Sequence, residues 1–123
     1  MQCLIVDDSA LFLRCARELL EREGVEVVGV ASNCAQALQR TEELQPDLVL
    51  VDIDLGKECG FDLARQLDRT GGDKGPPPAV ILISSHSGED FEELVVTSPA
   101  IGFLSKAVLS AGAIRSLMQG GRD

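Results

Sequence analysis

Two hydrophobic periodicities take turns along this chain. Short runs rich in apolar and β-branched residues read as strands: Gln2–Val6, Val25–Ala31, Leu48–Asp52, Ala79–Ser84 and Ile101–Ser105. Between them lie stretches whose apolar residues recur three and four positions apart, the spacing of one helix face. Ala10–Glu23 sets Phe12, Cys15, Ala16 and Leu19 on such a face, with Ser9 as N-cap and Gly24 as stop. A second helix carries Cys34, Ala37, Leu38 and Thr41 inward, capped by Ser32 or Asn33, and Pro46 lies just past its end. Gly60–Thr70 is spaced for burial at Phe61, Ala64 and Leu67. Asp90–Ser98 is a short helix with Phe91, Leu94 and Val95 facing in, and Ser110–Met118 is a last helix with Ile114, Leu117 and Met118. Asp54–Gly60 reads as a loop, Gly71–Pro78 as a break rich in glycine and proline, and Gly120-Gly121 as the end of order.

Five strand–helix units in strict alternation predict a parallel sheet with helices on both faces. Leu48–Asp52 is apolar without alternation, as expected of a strand covered on both sides. In such sheets ligands bind beyond the carboxyl ends of the strands. Asp7 and Asp8 follow the first strand, Asp52 ends the third, Ser84 ends the fourth and Lys106 follows the fifth. The connection rule therefore gathers these five residues at one edge of the molecule.

Composition narrows the class without changing that picture. A chain of 123 residues suits one domain, and at this size roughly two-thirds of the unfolded surface is buried. With four Phe and neither Trp nor Tyr, the core must be aliphatic. The net charge of −9 argues against direct DNA binding, which needs basic residues to neutralise phosphates. No apolar run approaches the roughly 20 residues that span a bilayer. With no room for a signal peptide before the first strand, the expected location is cytoplasmic. Cysteines at 3, 15, 34 and 59 show no CxxC spacing, and three of them sit in apolar patterns, so they are expected as free thiols acting as small hydrophobes.

The chemistry lies in the gathered charges. Any one of the acids alone is an ordinary solvated carboxylate. Three within a few ångströms repel, and a hard cation removes that cost. Magnesium takes oxygen ligands, usually one or two carboxylates with phosphate oxygens and water. A carboxylate such as Asp52 can itself attack phosphorus, while a metal and Lys106 spread the charge of the group in flight. Ser84 could donate its hydroxyl to a phosphate oxygen.

These residues resemble a response-regulator receiver domain of two-component signalling. The resemblance is carried by VDD at 6–8, VDIDL at 51–55 followed by Gly60, VILIS ending at Ser84, and GFLSK at 102–106, in the family's order over nearly the whole chain. It implies a flavodoxin-like three-layer α/β sandwich with a five-stranded parallel sheet in order 2-1-3-4-5 and five helices. Residues 1–119 would form the receiver and 120–123 a disordered tail. The roles implied by position are Asp52 as phosphoacceptor, Asp7 and Asp8 as acids of a Mg2+ (or Mn2+) site, and Asp54 as a backbone carbonyl to that metal. Ser84 and Lys106 would contact the phosphoryl group, and Phe103 would change rotamer with Ser84.

The implied partner upstream is a histidine kinase or phosphotransfer protein. Downstream it is an unidentified protein, met through helix four, strand five and helix five, with a homodimer through that face as an option. Val96, Ile101, Val108 and Ala113 are candidate contact positions there. No membrane partner is implied and no turnover of an external substrate. With no output domain after residue 123, a single-domain regulator or a piece of a longer protein is expected.

Two departures stand out. Ala107 replaces the usual proline after the lysine, so the Lys106–Ala107 bond is expected trans and the loop shape is open. His86 lies two beyond Ser84, where receivers tune phosphoryl lifetime, and reads as an exposed loop imidazole. Two other classes compete. One is a degenerate receiver used only for docking. The other is a haloacid-dehalogenase-type phosphatase, suggested by Asp52-Ile53-Asp54 but lacking its early-strand placement and a cap domain. A dinucleotide-binding module is disfavoured because no GxGxxG follows a strand.

Overall fold

The computed structural model describes residues 1–69, 77–85 and 92–120, and at 92–94 and 120 the backbone alone. In chain order the elements are β1 (Gln2–Val6), α1 (Ala10–Arg22), β2 (Glu26–Ala31), α2 (Cys34–Leu44), β3 (Leu48–Asp52), β4 (Asp54–Leu55), β5 (Glu58–Cys59), α3 (Gly60–Arg69), β6 (Ala79–Ser84), α4 (Glu92–Thr97), β7 (Gly102–Ser105) and α5 (Ala111–Gly120). Five strands form one sheet in the order β2-β1-β3-β6-β7, every pairing parallel. Counting only those five, this is the expected order 2-1-3-4-5. The labels differ because a small antiparallel hairpin, β4–β5, interrupts the count.

Successive side chains of a strand point to opposite faces, and here that alternation divides the interior into two cores. Leu4, Val6, Val49, Val51, Val80 and Leu82 point one way and meet Ala37 of α2 and Phe61, Leu63, Ala64 and Leu67 of α3. Cys3, Ile5, Leu48, Leu50, Ile81 and Ile83 point the other way and meet Leu13, Ala16 and Leu20 of α1 and Ile114 of α5. All of β3 is buried, as its unbroken apolar run requires. Fully burying one such aliphatic side chain contributes roughly 1.5–3 kcal/mol, so both layers of helices are held by the sheet they cover.

The helix caps follow the sequence. Ser9 Oγ accepts from the Phe12 N–H at 3.2 Å, and Ser110 Oγ accepts from the Ala113 N–H at 3.0 Å. For α2 the cap is Asn33, whose Oδ1 accepts from the Gln36 N–H at 2.9 Å. Ser32 completes a reciprocal box by donating its own N–H to Gln36 Oε1 at 2.9 Å.

The structure corrects three readings. The buried face of α1 is Leu13, Ala16 and Leu20, with Phe12 and Leu19 half-buried and Cys15 exposed. Among the cysteines only Cys3 and Cys34 are buried, and all four are free. The Asp54–Gly60 loop contains the β4–β5 hairpin, turned at Gly56, whose φ of 71° lies in the left-handed region. Boundaries shift by a residue or so elsewhere: β2 starts at Glu26, β7 at Gly102, and α5 runs through Gly120. His86, Phe91 and the side chain of Leu94 lie outside the described residues, as does most of the Gly71–Pro78 break.

Candidate functional site

The parallel sheet brings the carboxyl ends of β1, β3, β6 and β7 to one edge, and the acids arrive there by short local devices. Asp7 is the first residue past β1. Its N–H donates to the Ala31 carbonyl of β2 at 3.0 Å, and its Oδ1 accepts from the Ser9 N–H at 2.8 Å. The same short turn that starts α1 therefore fixes the Asp7 carboxylate. Asp52 ends β3, and its Oδ1 accepts from the Asp54 N–H at 3.1 Å. Just beyond, the Gly60 N–H donates to the Ile53 carbonyl at 2.8 Å, closing the hairpin against β3. A Cβ on Gly60 would collide with the Asp52 carbonyl and the Ile53 backbone, so only glycine lets α3 start so close to the site.

Asp7 is fully enclosed and Asp52 is 4 % exposed, whereas Asp8 is exposed. One carboxylate oxygen from each of the three lies within 4.8 Å of the others. Lys106 enters from beyond β7. Its Nζ stands 2.6 Å from Asp7 Oδ2 and 3.2 Å from Asp52 Oδ2, with 19 % of its side chain exposed. Asp7 Oδ2 meets this ammonium as a charge contact and makes no well-aligned hydrogen bond to any described residue. A buried carboxylate oxygen with unused acceptor capacity, beside two more carboxylates, suits a hard oxygen-seeking cation. The donor set fits a divalent ion.

Burial first, and Asp7 second, push the Asp52 carboxyl up to about 6. The Asp54 N–H and Lys106 pull against that rise. Lys106 is shifted upward on balance: burial lowers it, and its close pairing with Asp7 and Asp52 more than offsets that. The site is thus a partly compensated concentration of negative charge on a rigid base.

Residues 3–118 match the response regulator receiver domain family. The chain belongs to that family. A protein-glutamate methylesterase/protein-glutamine glutaminase of Symbiobacterium thermophilum is 32% identical over 124 residues, covering 100% of this chain and 33% of the relative. A putative transcriptional regulator of Pseudomonas aeruginosa is 32% identical over 138 residues, covering 98% of this chain and 65% of the relative. The receiver chain thus spans about a third of the first relative and under two-thirds of the second. Among solved structures, the signal receiver domain of the putative response regulator NarL from Mycobacterium tuberculosis superposes with a TM-score of 0.81 at 25% identity, covering 98% of this chain and 95% of that one.

Within this receiver the remaining expected residues fall unevenly. Ser84 ends β6 at the same sheet edge and is buried; its register partner on β7 is Ser105, while Asp52 pairs with the preceding Ile83. Phe103 lies on β7 opposite Leu82, half-buried and packed against the core on the α2/α3 side. The Asp54 side chain is exposed, and what it brings to Asp52 is its N–H. With Ala107 after the lysine, Lys106–Val108 forms a single 3-10 turn. The Ala107 N–H donates to Ser105 Oγ at 3.3 Å, and no peptide bond among the described residues is cis.

Sequence reasoning missed Phe12, whose ring centroid lies 4.3 Å from Lys106 Nζ. The sequence carried its nearness to the acidic pair but nothing of its pairing with Lys106. Phe12 is the third residue after the Ser9 cap, so it sits in the first turn of the helix that springs from the acidic pair. It also missed Gly56, close enough to the acids that an added Cβ would stand 3.6 Å from Asp8 Oδ2.

Proposed function

We propose that Asp52 accepts a phosphoryl group from the phosphohistidine of a histidine kinase or phosphotransfer protein. The observation that carries this reading is the Asp52 carboxylate itself. It is buried at the end of β3, held on one oxygen by the Asp54 N–H and on the other by Lys106, and set beside the oxygens of Asp7 and Asp8. In the transfer, an Asp52 oxygen attacks phosphorus, the P–N bond breaks, and its electron pair returns to the imidazole. Lys106 neutralises charge on the phosphoryl oxygens, and Ser84 donates its hydroxyl to one of them. Asp7, Asp8, Asp52 and the Asp54 carbonyl would hold Mg2+ or Mn2+, which supplies charge neutralisation between the acids and the incoming group.

Phosphorylation adds charge and acceptor oxygens at the end of the sheet. Ser84 then moves toward the phosphoryl group, Phe103 turns inward, and the α4–β7–α5 face shifts its population between two states. Val96, 77% exposed, and Val108, 59% exposed, offer apolar contacts on that side for a downstream protein or a second copy. The chain's net charge of −9 favours a protein over DNA as the direct partner. We assign the receiver to residues 1–119, working in the cytoplasm where phosphohistidine donors reside, as a phosphoacceptor and not as an enzyme of multiple turnover. Among the described residues no helix is long and apolar enough to cross a membrane.

The test is intact-mass analysis after incubation with Mg2+ and acetyl phosphate. The wild type should gain one phosphoryl group and Asp52→Asn none, with beryllofluoride shifting amide resonances of the wild type alone. No adduct and no beryllofluoride response would leave a docking module.

A further inference from the structure

We infer that Phe12 is a positioning residue for Lys106, holding the ammonium at the acidic site through its ring face. This rests on the phosphoacceptor reading above and adds a residue to it. The Lys106 side chain reaches the site from beyond β7 on four flexible methylenes, and a free lysine would sample many rotamers. Here its Nζ is confined on three sides: Asp7 Oδ2 at 2.6 Å, Asp52 Oδ2 at 3.2 Å, and the Phe12 ring at 4.3 Å from centroid to nitrogen. The two carboxylates attract the charge but do not fix the direction from which it approaches, because an ammonium is a compact point charge with rotatable donors. The aromatic face does, since a cation is drawn to the ring's negative face.

Phe12 can do this because it is itself anchored. Its N–H donates to Ser9 Oγ in the first turn of α1, and its ring packs partly against the core that α1 shares with α5. Ser9 in turn donates to Asp7. One four-residue stretch, Ser9 to Phe12, therefore orients both the Asp7 carboxylate and the lysine that answers it. With only 19% of the Lys106 side chain exposed, the contact is largely shielded from water, where cation–π attraction is strongest.

The experiment compares phosphorylation by acetyl phosphate with saturating Mg2+ in the full chain. Phe12→Leu keeps the apolar volume and removes the ring, and should lower the rate by about twofold to thirtyfold, the range that one such contact spans. Phe12→Trp keeps a ring face and should restore the rate to near wild type. Mg2+ affinity, read from amide shifts, should stay within about twofold of wild type in both, because Phe12 touches the lysine and not the acids. In a Lys106→Met background, Phe12→Leu should cause no further loss, as expected for a residue acting through Lys106.

A wild-type rate in Phe12→Leu, or an undiminished loss in the Lys106→Met background, would overturn the assignment. Should the wild type take up no phosphoryl group at all, the phosphoacceptor reading fails by itself. The Lys106 ε-methylene proton shifts then decide: an upfield ring-current shift that Phe12→Leu abolishes supports the positioning contact, and its absence sinks it.

Discussion

At the scale of single residues, Asp52 is at odds with its surroundings. Its carboxylate is buried beside Asp7, and both effects favour the neutral form, which is why its pKa rises to about 6 from 3.8. A group whose folded pKa exceeds its unfolded value stabilises the fold below the unfolded pKa. That contribution is lost as pH rises through the folded one. In metal-free protein the stability gained from Asp52 is therefore present below about pH 4 and gone above about pH 6. Asp52→Asn removes the buried charge and keeps the shape. Urea denaturation in EDTA at pH 7 should find the variant more stable by about 1–3 kcal/mol, at most the full linkage, in which the opposing pull of Lys106 is already included. The gap between the two proteins should close as pH falls from 7 to 4. A variant less stable than wild type at pH 7 would mean that the Lys106 pairing outweighs the repulsion. At this scale the charged site was legible: Asp7, Asp8, Asp52 and Lys106 converge because the connection rule for parallel sheets sends strand ends to one edge. Phe12 was not, because an aromatic at helical spacing reads first as core, and nothing in a linear pattern says which side of a helix faces a lysine from the far end of the chain.

Elements show why some of the pattern could be read and some could not. The three central strands, β1, β3 and β6, were plain because both their faces are covered, and an unbroken apolar run of that length between turn residues fits a doubly covered strand. The face of α1 slipped by one residue because Leu11, Phe12 and Leu13 are consecutive, so periodicity alone supports more than one stripe. The structure buries Leu13 and leaves Leu11 exposed. The β4–β5 hairpin was invisible because two residues a side are too short to show alternation, and only Gly56 marked the turn. The end of α2 carries a testable strain. Gln45, its C-cap, sits at φ 47°, ψ 59°, the one described non-glycine residue at positive φ. A side chain there costs roughly 1–2 kcal/mol, and the Gln45 side chain is exposed to solvent, with no burial to offset that cost. Gln45→Gly should raise stability by about 0.5–1 kcal/mol, the relief of strain partly offset by the freer unfolded chain. An unchanged or lower urea midpoint would show that the left-handed cap is not strained.

The molecule as a whole has two cores back to back on one sheet, and each holds a buried thiol. Cys3 lies on β1 in the core shared with α1 and α5, and burial pushes its thiol up to about 12. Cys34 begins α2 in the opposite core, pushed up to about 11 by burial and then by Glu58, whose carboxylate also accepts from the Cys34 N–H at 3.1 Å. In the unfolded chain both titrate near the ordinary value of 9.0. Their folded pKa values are the higher ones, so their contribution is whole below pH 9 and is lost as pH rises towards 11 and 12. Between those limits the unfolded chain carries thiolates that both folded cores disfavour. Stability should therefore fall across that window, with a slope of at most about 1.4 kcal/mol per pH unit for each thiol. The chain contains no tyrosine, so no phenol titrates alongside. Loss of the Lys106 charge acts on wild type and cysteine variants alike and cancels in their difference. Cys3→Ala with Cys34→Ala should start less stable at pH 8 because two side-chain sulfurs are removed from packed cores. It should then lose less between pH 9 and 11, so that the two stability curves converge. Curves that stay parallel over that range would show that the cores open enough for their thiols to ionise in place, and that neither layer of helices seals the sheet.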